Sequence, residues 1–488
     1  MPFDSLRALR GTRFWIAPAA WVLGITALSG VALARLSWSF VDLYNLFYRA
    51  TALSWRQTLG FAFAGGVEYR PLLIIGVKLA HQLVGLRAWF YKALVLLQFA
   101  AILAGLLWIF QPTTRRRAVA ACIALTCVAG LHTSRVLFMF IPLNAHSFGV
   151  VLLLAGILMA LSPQSRLRDW AFLPLTLTAL LTLESGMLLV AVMLVLWRMK
   201  APGASGRAVA ATVIATVVYV AVRFGLGTQE ATSVYTETGL GFADVSGPRL
   251  AEIFGHAPWL LWIYNVVASA LTIAASEPRA GRFLFVESIL HGHVPLWMYV
   301  HVVSSVLTTG VIAYAFKTSR IPLDRDRYIA AAGVTLVVIG SALGFLYTRD
   351  RIGLSAGVGY AMLVYVAVAA VLEGRPATFA RATAAKDGRT LPVRTLGLRL
   401  AQACVAVIAA GWLIRTGELY FQLRDAGWEN YQEWTTRYEE LGGTSRPQTD
   451  LLMLLRNEAL ARIPDDPRND PAWTYMLFER EFERTPRE

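Results

Sequence analysis

The chain has 488 residues, is 56% apolar and carries only 16% charged residues, with a mean hydropathy of +0.53. Soluble globular proteins carry roughly 25% charged residues, so this composition excludes one and predicts a chain spent mostly in a bilayer. The formal charge of +14 does not mark a nucleic-acid binder, because the basic residues fall in short loops between apolar runs, where the positive-inside rule puts them.

Many of these runs approach the roughly 20 residues a membrane helix needs. Every backbone polar group inside a bilayer must be satisfied within the segment, so the runs are predicted to be helices. They lack the dyad alternation of a membrane barrel. The expected fold is all-α, a polytopic helix bundle of about eleven spans by charge bookkeeping.

The first span is 14–34. It follows Arg7, Arg10 and Arg13 with no small-residue cleavage site before Trp38, so it reads as a retained span with a cytoplasmic N-terminus. A first outward loop covers 37–92. It is too polar to cross and too apolar to be solvated, which predicts interfacial helices. Pro71 should begin or end one of them, and Lys78, His81 and Gln82 interrupt the run that follows. Spans at 93–110, 118–131 and 146–161 are separated by Arg115-Arg116-Arg117 and by His132, Arg135 and Asn144. The stretch 169–197 is bounded on both sides by basic clusters and needs an even number of crossings. Two short helices meeting near Leu183-Glu184-Ser185 meet that need.

A seventh span is 207–224. Between 225 and 294 lies a polar loop with Glu230, Glu237, Asp244 and Glu252, then an apolar run at 259–275. If that run crossed, the basic loop at 317–327 would be forced outward, so it reads as interfacial or re-entrant. The last spans are 296–316, 328–345, 353–372 and 396–414, with a basic linker at 375–399. An odd total places the segment 415–488 outside. It holds ten arginines against fifteen acidic residues, a net of −5, leaving +19 on residues 1–414. The predicted organisation is a membrane domain over 1–414 and an extracytoplasmic, mostly helical acidic tail over 415–488. Cys122, Cys127 and Cys404 sit inside apolar runs and read as packing residues.

An ionisable residue at membrane depth is costly and is a functional candidate by default. That rule selects Asp42, Glu68, Arg70, His132, Arg135, His146, Glu184, Arg349 and Arg351, most of them facing outward. Carboxylates joined to arginines suit one problem: the acid deprotonates a hydroxyl or binds a metal, and the guanidiniums neutralise a phosphate leaving group. A lipid-linked phosphosugar is the outer-leaflet substrate of that kind. Plainer roles compete. Asp42 could cap an interfacial helix, Arg70 could snorkel, Glu184 could pair with an arginine to fix helix packing, and Arg349 and Arg351 beside Tyr347 could anchor the interface. His291 and His293 lack metal-ligand spacing with the other histidines. No Walker lysine follows a Gly-rich loop, which disfavours an ATP-driven mechanism.

The string EYRPLLIIGVKLAHQLVGLRAWFYKALVLLQFAAILAGLL, with Tyr69-Arg70-Pro71-Leu72, Gly85-Leu86 and Trp89-Phe90-Tyr91, resembles the segment after the first loop of GT-C glycosyltransferases. Among these are the bacterial lipid-A aminoarabinose transferases and, more closely, the transmembrane-tetratricopeptide mannosyltransferases. LLTLESGMLLVAVMLVLW resembles their short hairpin, with Glu184-Ser185 at its turn. HTSRVLFMFIPLNAHSFGVVLLLAGILMAL is similar in layout to their third-to-fourth connection, and RIGLSAGVGYAMLVYVAVAAVL to their late arginine-bearing span entry at Arg351. The resemblance covers residues 14–200 and 325–372, and its order and spacing carry it.

It implies an outer-face transferase, and the short loops between spans point to a prokaryotic inner membrane. A sugar would pass from a polyprenyl-phosphate donor to a lipid, glycan or protein acceptor. Asp42 would be the base or a divalent-metal-assisting carboxylate, with Glu68 as a second acid. Arg70, Arg349 and Arg351 would hold the donor phosphate, and Glu184, His132 and Arg135 would orient the acceptor. Leu43 and Tyr44 stand where the family often has a second acid. Two other readings stay open: a lipid-linked substrate transporter or flippase, although no inverted repeat is seen, and a non-catalytic membrane subunit that works with a protein partner.

Overall fold

The computed structural model describes residues 13–34, 54–63, 70–84, 88–139, 145–225, 239–240, 243–244, 247–255, 257, 259–279, 281–318, 324–348, 353–374, 398–418 and 421. Within them, helices follow one another as α1 (Ile16–Ala34), α2 (Trp55–Ala62), α3 (Pro71–Val84), α4 (Ala88–Phe110), α5 (Arg115–Gly130), α6 (His132–Met139), α7 (Ala145–Ala160), α8 (Arg166–Thr182), α9 (Met187–Arg198) and α10 (Gly206–Gly225). Then come α11 (Gly247–Phe254), α12 (Trp259–Ala275), α13 (Leu284–Leu290), α14 (Leu296–Lys317), α15 (Asp324–Ala342), α16 (Leu354–Glu373) and α17 (Leu398–Glu418). The non-helical pairing is slight: a ladder of Gly239–Leu240 with Ala243–Asp244 and a bridge between Arg279 and Arg282. Six helices among the described residues (α1, α4, α10, α14, α16 and α17) are long and apolar enough to cross a membrane. The pair α11 and α12, bent by 87°, adds a seventh if counted as one span. The protein is a helical membrane protein.

The centre of the bundle is α16, in which every residue from Leu354 to Val371 is buried. Its first turns are built from small residues, Ser355, Ala356, Gly357 and Gly359, because packing between membrane helices depends on close backbone approach. A Cβ at Gly359 would stand 2.7 Å from the Gly333 carbonyl, and one at Gly333 would stand 2.8 Å from the Gly359 carbonyl. Helices α15 and α16 therefore touch backbone to backbone. On its other face α16 packs against α5, which is buried almost throughout. Further along, Tyr365 stacks on Phe110 with ring centroids 4.2 Å apart.

The bundle has two distinct ends. At one, Arg117 donates bidentately to Asp326 (3.0 and 2.6 Å) and through Nε to Glu373 (2.8 Å). Arg325 donates to the Ile109 carbonyl and Arg116 to that of Glu373. Tyr328 donates to the Lys200 carbonyl, and Gln402 to that of Val371. The arginine run 115–117, the basic turn after α9, the start of α15, the end of α16 and the start of α17 thus meet in one basic end. The run at 115–117 reads in the sequence as a sidedness marker only. The structure shows Arg117 to be 4% exposed and a fastening between three helices.

Local readings of the sequence match the elements. Pro71 is the first residue of α3, where its missing N–H costs nothing. Helices α8 and α9 meet at a 3₁₀ turn, Glu184–Gly186. Helix α17 runs four residues beyond 414, so Arg415 and Glu418 belong to a membrane helix rather than to the tail.

Helix α12 is re-entrant in geometry. Asn265 donates to the Phe345 and Leu346 carbonyls just beyond α15. Nine residues on, the Ala274 carbonyl accepts from Thr309, in the second half of α14. The chain then turns back: Ser276 meets Ser305, Arg279 meets His301, and the Gly281 carbonyl accepts from Tyr264. Contacts at 309, 305 and 301 climb back towards the start of α14 as the chain advances from 274 to 279. The apolar run expected to be interfacial or re-entrant enters the bundle and leaves by the same end.

Candidate functional site

At the end opposite the basic one, Arg70, Glu184 and Arg223 come together from three separate segments. Arg70 immediately precedes α3, and its carbonyl accepts from the N–H groups of Leu73 and Ile74. Pro71, with φ fixed for helix, sets the direction in which the chain leaves it. Glu184 opens the 3₁₀ turn between α8 and α9. Its position depends on Gly186, where a Cβ would lie 2.6 Å from the Leu180 nitrogen and 2.7 Å from the Ala179 carbonyl carbon. Only glycine lets the turn fold back that closely on α8. Arg223 lies in the last turn of α10, one helical turn after Tyr219, to whose hydroxyl its Nη1 donates at 2.9 Å.

Glu184 is shared by the two guanidiniums: Oε2 is 3.6 Å from Arg70 Nε and Oε1 is 3.3 Å from Arg223 Nη1. These separations exceed the 2.7–2.9 Å of a tight charge-assisted hydrogen bond. The side chains are 37%, 28% and 12% exposed for Arg70, Glu184 and Arg223. Among the described residues, two guanidiniums thus share this one carboxylate. The Arg70 pair is long and more than a third exposed on the arginine side, and such pairs are worth little, so Arg70 can turn to an incoming anion at small cost. Near the far end of α3, Trp55 on α2 donates to Gln82 (3.0 Å). Lys78 on α3 is buried, and burial holds its ammonium below the ordinary lysine value.

Of the residues singled out in the sequence, Arg70 and Glu184 are therefore in contact. His132 is buried at the start of α6, and its neighbour Thr133 faces Gly353, where a Cβ would meet the threonine methyl at 3.1 Å. The backbone of Arg135 lies on α6, with its side chain outside the described residues. Asp42, Glu68, Arg349 and Arg351 also lie outside the described residues. Among the described residues, no three His, Cys, Asp or Glu side chains are placed to share a metal ion.

Two groups were missed in the sequence. Arg223 falls there within the seventh span, 207–224; its signal is an arginine one turn after a tyrosine in an otherwise apolar stretch. The second group surrounds the re-entrant hairpin. Arg415, 2% exposed, lies over the Trp412 ring at 3.9 Å and donates to the carbonyls of Gly130 and His301 and the hydroxyls of Ser276, Ser304 and Ser305. His301 Nδ1 faces Arg279 and its Nε2 faces Glu418, each at 2.5 Å. Arginine can only donate, so Nδ1 accepts and Nε2–H donates to the carboxylate.

Comparison with protein-family models, with curated proteins and with solved structures returns no match.

Proposed function

We propose that the chain is a GT-C-type integral membrane glycosyltransferase that crosses the bilayer about eleven times, with its basic end in the cytoplasm and the Arg70–Glu184–Arg223 cluster at the outer face. The acceptor hydroxyl gives its proton to Asp42 and its oxygen attacks the anomeric carbon of a polyprenyl-phosphate sugar. The bond from that carbon to the phosphate oxygen breaks, and the polyprenyl phosphate leaves with the bonding electrons. The guanidiniums of Arg70 and Arg223, with Arg349 and Arg351, take up the charge that grows on the phosphate. Glu184 sets the spacing of the first two, Glu68 supports Asp42, and His132 with Arg135 orients the acceptor.

One observation supports this reading above the others: a carboxylate on the short α8–α9 turn brings together arginines from two other segments at the end of the bundle opposite the basic one. That is the electrostatic need of a phosphate leaving group. The test is transfer of labelled sugar from polyprenyl-phosphate donors by the purified protein. Asp42→Asn should abolish transfer and leave donor binding intact, whereas Arg223→Met should weaken donor binding about tenfold or more, as loss of a charged hydrogen bond does. Full turnover by Asp42→Asn removes the mechanism. Transport of the lipid-linked sugar without transfer, or activity only with an added membrane subunit, favours the rival readings.

A further inference from the structure

A lipid-facing groove of about 310 Å³ runs between α1, α5 and α17. Helix α1 contributes Ala17 and Trp21, α5 contributes Val119 and Cys122, and α17 contributes Leu413. Trp21, Val119 and Leu413 are 38%, 44% and 47% exposed, so the groove opens sideways to the surroundings of the bundle rather than into its core. The Trp21 indole donates to Thr126 across the gap (2.8 Å), which fixes α1 against α5 while leaving the space beside it unfilled by protein.

Among the described residues, the one charged side chain in its lining is Arg115, at the basic end. From Arg115 to Thr126 the groove follows eleven residues of α5, about 16 Å of helix. That matches one leaflet, half of a hydrocarbon core about 30 Å thick. An apolar channel one leaflet deep, with a cation at its polar mouth, has the shape and charge of one acyl chain below an anionic headgroup. Basic pockets between membrane helices recognise such headgroups.

We infer that the groove is a binding site for an anionic phospholipid of the leaflet on the basic side, its phosphate at Arg115 and one acyl chain along α5. This site is at the opposite end of the bundle from the Arg70–Glu184–Arg223 cluster and does not depend on the function proposed for it. Native mass spectrometry of the full-length protein in detergent, titrated with phosphatidylglycerol, phosphatidylcholine or free glycerol phosphate, tests it. Phosphatidylglycerol should bind more tightly than phosphatidylcholine, and glycerol phosphate should not compete. Arg115→Gln should erase that preference, about a fivefold change for one cation near an anionic headgroup, while phosphatidylcholine binding is kept. Ala17→Trp, which fills the groove from an exposed position, should remove the bound lipid without lowering the thermal midpoint, and Val119→Trp offers the same block from α5. Equal binding of the two lipids by the unaltered protein overturns the inference, as does a groove-filled variant that keeps its lipid. Competition by glycerol phosphate would leave a phosphate site without an acyl-chain groove and would equally overturn it.

Discussion

Replacing Arg117 by methionine should be among the most damaging single changes in the membrane domain. The guanidinium is held by Asp326 at 2.6 and 3.0 Å and by Glu373 at 2.8 Å, and the three side chains are 5%, 3% and 8% exposed. At a separation of about 4 Å and an effective dielectric of 20, each carboxylate gains about 4 kcal/mol from a unit cation. Removing the cation forfeits that attraction and leaves two buried carboxylates to repel each other. The expected loss is about 3–5 kcal/mol. Replacing the whole group (Arg117→Met, Asp326→Leu and Glu373→Leu together) should restore stability to within about 1 kcal/mol of the unaltered protein, because it also removes the cost of keeping three charges from water. Unfolding by sodium dodecyl sulfate in mixed micelles, followed by circular dichroism, measures both. If Arg117→Met unfolds like the parent, or the triple variant is as weak as the single one, the buried charges do not hold these helices together.

Two glycines separate close packing from open space. A Cβ at Gly203 would lie 2.2 Å from the Met159 carbonyl oxygen and 2.5 Å from that of Ser162, both backbone atoms, so Gly203→Ala should cost about 3 kcal/mol or more. At Gly310 no atom lies within 4 Å of the added carbon, and Gly310→Ala should gain about 0.5–1 kcal/mol from helix propensity; the same micelle titration reads both. Arg415→Lys keeps the charge but offers three donors from one nitrogen in place of a planar fork, so it cannot reach all five acceptors around it. Faster amide exchange confined to residues 276–283 is expected, and unchanged protection there would show that the hairpin does not depend on the fork.

The sequence reveals most where the bilayer constrains it most. The start of α3 at Pro71 and the break at Glu184 follow from proline and charge placement and appear in the structure, and helices occupy the positions of the expected spans, six of them long and apolar enough among the described residues to cross a membrane. Pairing does not follow, because a charge reads the same whether it faces water or a partner. Arg115, Arg116 and Arg117 are adjacent and chemically alike, yet Arg115 is exposed and Arg117 is buried against two acids from helices more than 200 residues away. The candidate site was legible in the same partial way. Arg70 and Glu184 stand out as charges among apolar residues, and the plainer expectation that Glu184 pairs with an arginine also holds. That its partners are Arg70 and Arg223 is settled by how α3 and α10 pack around α8, which no local pattern encodes.

The hairpin of α12 shows how polar residues can specify a place in an apolar bundle. Its return limb is not helical, and non-helical backbone at membrane depth is tolerated only where protein or a water-filled cavity satisfies it. Here protein does so: Thr309 takes the Ala274 carbonyl, Thr272 takes that of Pro278, Tyr264 takes that of Gly281, and Arg415 holds the Ser276 hydroxyl. Apolar contacts alone would leave α12 free to slide along α14, since lipid tails are as apolar as its leucines. Each polar contact is satisfied at one depth only, so together they set how far the helix enters. Three of the groups that do this, Ser276, Ser305 and Arg415, meet at a single point, and a change there should shift the whole hairpin rather than loosen one end of it.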